Sequence, residues 1–94
     1  MEEKIEILTE HKGELVYIEF LDGKLPAEIT GIIGNEFRNS YVKMWYVKEG
    51  RLLPTYIPIF GISLIAEHDY VWGRNKDKVY FKSQENDLTK SLKI

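Results

Sequence analysis

Between Glu14 and Phe20 the chain reads ELVYIEF, which sets Val16, Ile18 and Phe20 on one face of an extended segment. Period-two alternation is the mark of a half-buried strand, and it returns along the chain between strong turn signals. LPAEITGII, from about Leu25 to Ile33, reads as a second strand, with Gly31 suggesting a bulge or sharp bend. SYVKMWYVK, from Ser40 to Lys48, is rich in β-branched and aromatic residues and reads as a third. RLLPTYIPI gives a fourth, which Pro54 and Pro58 confine to an edge or a broken pairing, and GISLIAE a short fifth.

The punctuation supports this order. LDGK at Leu21–Lys24 turns the first strand, GNEFRN at Gly34–Asn39 reads as a loop, and Glu49-Gly50 marks a tight hairpin. Ahead of the strands, EEKIEILTEHKG has Ile5 and Leu8 one turn apart and ends at Gly13, as a short helix with a glycine C-cap does. Its Ile5/Ile7 alternation leaves a strand open. After Glu67 the texture changes. DYVWGRNKDKVYFKS reads as a hairpin turning at Gly73–Asp77, and SQENDLTKSLKI as a frayed helix with Ser83 as its cap and Leu88 and Leu92 as its apolar pair.

Ninety-four residues suffice for one domain with a modest core, burying about two-thirds of the surface exposed by the unfolded chain. At 44% hydrophobic and 30% charged, the composition is that of an ordinary globular chain. The longest apolar run, YIPIFGISLIA, is too short to cross a bilayer and contains Pro58 and Gly61. MEEKIEI lacks the basic start and apolar segment of a secretory signal, so the expected location is cytoplasmic. Without cysteine there is neither a disulfide framework nor a thiolate metal site. A net charge of −2 argues against coating nucleic acid by bulk electrostatics, so any such contact must be local. A single glutamine with many Ile, Glu, Lys and Tyr gives a thermophile-like composition.

Catalytic chemistry finds little support. His11 and His68 lie in unrelated segments without ligand spacing, no serine sits in a nucleophile elbow, and no glycine-rich loop precedes a helix. Glu19, Asp22 and Glu28 fall where solvated faces and turns are expected. The chain therefore reads as non-enzymatic, without metal or small-molecule cofactor. Its aromatics, among them Trp45, Tyr46, Tyr56, Trp72 and Tyr80, exceed what so small a core holds easily and suit core filling plus a contact surface.

VYIEFLDG at Val16–Gly23 resembles the first signature of the Sm and LSm proteins, V-x-V-x-L-x-x-G. NEFRNSYV at Asn35–Val42 is similar to that family's D-x-x-M-N-x-x-L, with Asn35 and Asn39 in the Asp and Asn places. IPIFGISLI at Ile57–Ile65 keeps the apolar spacing of its second signature, I-R-G-x-x-I-x-x-I, although Pro58-Ile59 replaces Arg-Gly. The segment between Gly23 and Asn35 is one residue longer than usual. NEF also resembles the D-Q-F of the bacterial Hfq branch, where Phe37 matches an aromatic that stacks on a base.

The resemblance covers roughly Ile5–Glu67. It implies a mostly β fold: a short helix, then a small, strongly bent five-stranded Sm-like, SH3-type barrel over residues 1–67, with 68–94 as a C-terminal extension of the same domain. It further implies a homo-oligomeric ring in which the fourth strand of one copy pairs with the fifth of the next, through Tyr56, Ile57, Ile59, Ile62 and Leu64. In an RNA-binding module of this kind, single-stranded RNA would enter a pocket at 34–39: Asn39 would bond a base edge, Phe37 or Arg38 would stack on its face, and Asn35 would help frame the site. The missing Arg-Gly, the slight negative charge and the aromatic surplus favour the alternative of a non-enzymatic assembly or adaptor protein, with MWY and VWG as contact surface. Either way the apolar edge must be paired or covered, by another copy or by the C-terminal extension.

Overall fold

A computed structural model describes residues 2–20, 28–38 and 41–83. The chain is mostly β with one N-terminal helix. Helix α1 (Glu2–Glu10) is followed by strands β1 (Leu15–Phe20), β2 (Glu28–Arg38), β3 (Tyr41–Lys48), β4 (Arg51–Pro58), β5 (Ile62–Glu67) and β6 (Val79–Lys82), with a 3₁₀ turn at Ile59–Gly61. All strand pairs are antiparallel, in the order β4-β3-β2-β1-β5-β6. Among the described residues the sheet is open, with β4 and β6 as its edges.

Val16, Ile18 and Phe20 of β1 enter the main core with Ile29, Ile33, Val42, Met44, Ile57 and Ile65, as the alternation predicts. Tyr17 on the other face is buried too, against Leu64 and Ala66, so β1 is not the half-buried strand expected. Leu8 of α1 is fully buried in the same cluster, and Ile5 and Ile7 pack against it, so the helix reading holds. Lys4 is drawn in as well. Its ammonium donates to the Ile59 and Phe60 carbonyls at 3.1 and 3.2 Å, satisfying the end of the 3₁₀ turn, and sits 5.0 Å from the Phe81 ring centre. Burial lowers its pKa. Gly13, at φ +84°, turns the chain from helix into β1, its amide donating to the Ile33 carbonyl.

Four sequence expectations are revised. First, Gly34–Arg38 is not a loop: β2 runs through it, and Phe37 and Arg38 pair with β3. The register slips between Ile33 and Phe37, so the irregularity sits beside Gly34, whereas Gly31 stays in register between Val16 and Tyr46. What Gly31 supplies is proximity, because a Cβ there would strike the Trp45 carbonyl oxygen. Second, the hairpin expected within Asp69–Ser83 has only its second arm as a strand, and that arm pairs with β5. Third, the sheet therefore has six strands among the described residues rather than five. Fourth, the expected closure is absent among the described residues, where β4 and β6 remain unpaired edges. The turn at Leu21–Lys24 and the helix expected over Gln84–Ile94 lie outside the described residues. No helix among those described is long and apolar enough to cross a membrane.

The two sides of the sheet end differently. Glu49 and Gly50, at φ 52° and 74°, form a two-residue hairpin loop with both central residues in the left-handed region. Lys48 and Arg51 are thus the hydrogen-bonded pair closing the turn, and alternation turns the backbone of Leu52, Pro54, Tyr56 and Pro58 away from β3. Both prolines occupy outward positions, where they cost the ladder nothing and leave that edge without two of its four donors. At the other side, β6 covers β5, whose residues Ile62–Ala66 are buried.

Candidate functional site

The register gathers part of the sequence-predicted pocket at one end of the sheet. Phe37 pairs with Val42, which pairs with Ile57; Arg38 pairs with Tyr41, which pairs with Pro58. Asn35 shares the end of β2 with them, and Asn39 lies outside the described residues. Of the five expected interface residues, Ile57, Ile59 and Ile62 are in the main core and Leu64 packs with Tyr17 and Ala66 in a smaller cluster, while Tyr56 is exposed.

A second constellation stands between β5 and β6. Asp69 opens a single helical turn: its Oδ1 accepts the amides of Val71 at 2.7 Å and Trp72 at 3.2 Å, and its carbonyl accepts the Gly73 amide at 2.6 Å. A carboxylate at the first position and a glycine at φ +86° at the last give this turn caps at both ends. Asn75 anchors the return, its amide side chain donating to Glu67 Oε1 at 2.9 Å and its Oδ1 accepting the Asp77 amide at 3.0 Å. The backbone so fixed holds Tyr70, Val71 and Trp72 in solvent, at 84, 77 and 82% exposure.

Two clefts flank the turn. One, of about 580 Å³, is walled by Trp72 and Tyr17 and carries Asp69, Asp77, Arg74 and Lys76. The other, of about 620 Å³, carries Glu14, Glu67, Asp69 and His68. Arg74 reaches Glu19 at 3.5 Å, sharing Oε2 with the Tyr17 hydroxyl, and Lys78 lies 3.4 Å from Glu67. The Asn75 bond is the chief cause holding the Glu67 carboxyl below its ordinary value, with Lys78 assisting. Burial lowers the His68 pKa against a smaller opposing effect of Asp69, and His68 Nδ1 has no hydrogen-bond partner among the described residues. The same is true of Arg74 Nε. No group of three or more His, Cys, Asp or Glu among the described residues is arranged to hold a metal ion.

Sequence reasoning singled out VWG as contact surface but passed over Asp69, Asn75 and Glu67, and read Glu19 as merely solvated where it accepts from Tyr17 and Arg74. The available signal was Asp69 four residues ahead of Gly73, the spacing of a capped turn. Comparison with known proteins returns no matching family model, curated protein or solved structure.

Proposed function

We propose that the chain is a non-enzymatic Sm-like, SH3-type module that docks another polypeptide through the turn at Tyr70–Trp72. The observation that carries this reading is the exposure of three consecutive apolar side chains on a backbone capped at both ends. Exposed apolar patches of this kind mark interaction sites, and Tyr and Trp are the residues such sites favour. The strand order β4-β3-β2-β1-β5 and the register slip in β2 support the bent Sm-like sheet. Occupation of the β5 edge by β6, and the two outward prolines of β4, favour an adaptor over a ring built by pairing those strands.

A second reading is single-stranded RNA binding. It draws on a strip where Tyr41 and Tyr56 are exposed around Lys43, beside the end of β2 that carries Asn35, Phe37 and Arg38. Light scattering coupled to size exclusion, with fluorescence anisotropy of oligo-U and oligo-A at moderate salt, separates the two. The adaptor reading expects a single chain and no oligonucleotide binding at tens of micromolar; a hexameric or heptameric ring that binds either oligonucleotide overturns it.

A further inference from the structure

We infer that the partner of the Tyr70–Trp72 turn is a basic amphipathic polypeptide segment, an inference that rests on the docking role proposed above. The surface has an apolar centre and an acidic surround. Tyr70, Val71 and Trp72 are exposed, Tyr70 and Trp72 each lining one of two clefts that meet at Asp69 and Asn75 and whose walls carry Glu14, Glu67, Asp69 and Asp77. The nearby cations are largely engaged: Arg74 faces Glu19, and Lys78 faces Glu67. Counting Glu19 with the four cleft carboxylates, five acids stand against Arg74, Lys76 and Lys78, a local charge of −2 around an uncharged tip.

This distribution selects among partners. A phosphate-bearing strand meets a field of the wrong sign, and an anionic lipid surface does the same. A second copy would oppose like charges wherever the two turns met, at a cost. A segment with apolar side chains on one face and Lys or Arg on its flanks satisfies both parts: its apolar face covers Tyr70, Val71 and Trp72, and its cations reach into the clefts. The acidic excess lies in the cleft of Glu14, Glu67 and Asp69, whereas Asp77 shares its cleft with Arg74 and Lys76, so a short helix or extended segment laid on the turn sets its cations chiefly against Glu14 and Glu67.

The probe is an 18-residue peptide of leucine and lysine, leucines at i, i+3, i+4 and i+7, compared with a peptide in which glutamate replaces lysine and one in which serine replaces leucine. Binding to the full chain is followed by amide chemical shifts and, in a Trp45→Phe background, by the fluorescence of Trp72. The Leu/Lys peptide is expected to bind at about 100 μM or tighter, with shifts confined to 13–15 and 67–78. Trp72→Ala should weaken it roughly tenfold. Asp77→Lys should weaken it several-fold and flatten its dependence on salt. Trp72 and Asp77 are exposed, so neither change disturbs the core; amide spectra matching the parent chain verify this. Equal binding of the Leu/Glu peptide, shifts centred on β3–β4, or no saturation at about 1 mM overturns the inference. In that event a single chain that ignores oligo-U still upholds the docking role, whereas an RNA-binding ring removes both.

Discussion

Asp69 ties the exposed turn to the fold through one carboxylate oxygen and two amides. Asp69→Ala should cost about 1 kcal/mol in urea-induced unfolding, the typical value of a lost cap, and should speed hydrogen exchange at Val71 and Trp72 before it does so in β1. Unchanged exchange at those amides would show that the turn holds without its cap. His68, the next residue toward β5, gives the site a pH dependence of definite sign. Its folded pKa is depressed, so the unfolded chain binds the proton more readily. The stability due to neutral His68 is complete above its ordinary value of 6.5 and is lost as pH falls below that toward the folded value. Glu67 acts in the same direction at lower pH, its depressed carboxyl adding stability that disappears as it protonates. Unfolding midpoints measured from pH 8 down to about pH 5 should therefore fall, and His68→Gln should flatten the upper part of that slope.

At the level of strands, sequence alone gives a close account of β1, β3 and β4, because each shows alternation or aromatic enrichment and stops before a turn signal in the sequence. Positive φ at Glu49 and Gly50 meets the expectation drawn from that dipeptide. The reading fails at Gly34–Arg38, where Gly34 and Asn35 look like a loop while the strand continues across a register shift to pair again at Phe37 and Arg38. Local residue types record turn preference; they do not record that β3 lies close enough to keep bonding. Similarly, no short-range pattern tells Val79–Lys82 that its partner is β5 rather than the residues just before it. Gly31 gives a direct check on close approach. Gly31→Ala should destabilise by about 3 kcal/mol, since the obstacle is the Trp45 carbonyl and not a yielding side chain. The outward prolines give another. Replacing Pro54 and Pro58 together with Thr restores two outward donors on β4, and light scattering should then detect concentration-dependent association absent from the parent chain.

For the whole molecule, α1 and the sheet share one core, with Leu8 fully buried among Ile18, Ile33 and Ile65. Helix and sheet should unfold together, so far-ultraviolet circular dichroism and tryptophan fluorescence should trace a single transition. Leu8→Ala, at about 2–5 kcal/mol, should shift both signals equally; loss of helix signal alone would mean that α1 is an accessory. The pocket expected from the sequence, at 34–39, and the turn that the structure brings forward lie in different parts of the chain. The first is what the resemblance of NEFRNSYV to the Sm signature implies, the second follows from exposure, which has no linear signature. The pairing of Val16 with Glu67 also has a temporal side. One flank of β1 must wait for a partner about fifty residues further along the chain, so a growing polypeptide carries an unsealed ribbon until nearly all of β5 has been made. Folding should accordingly be slow for so small a molecule, and the interval before β5 and β6 arrive is when the young chain most needs shelter from its neighbours.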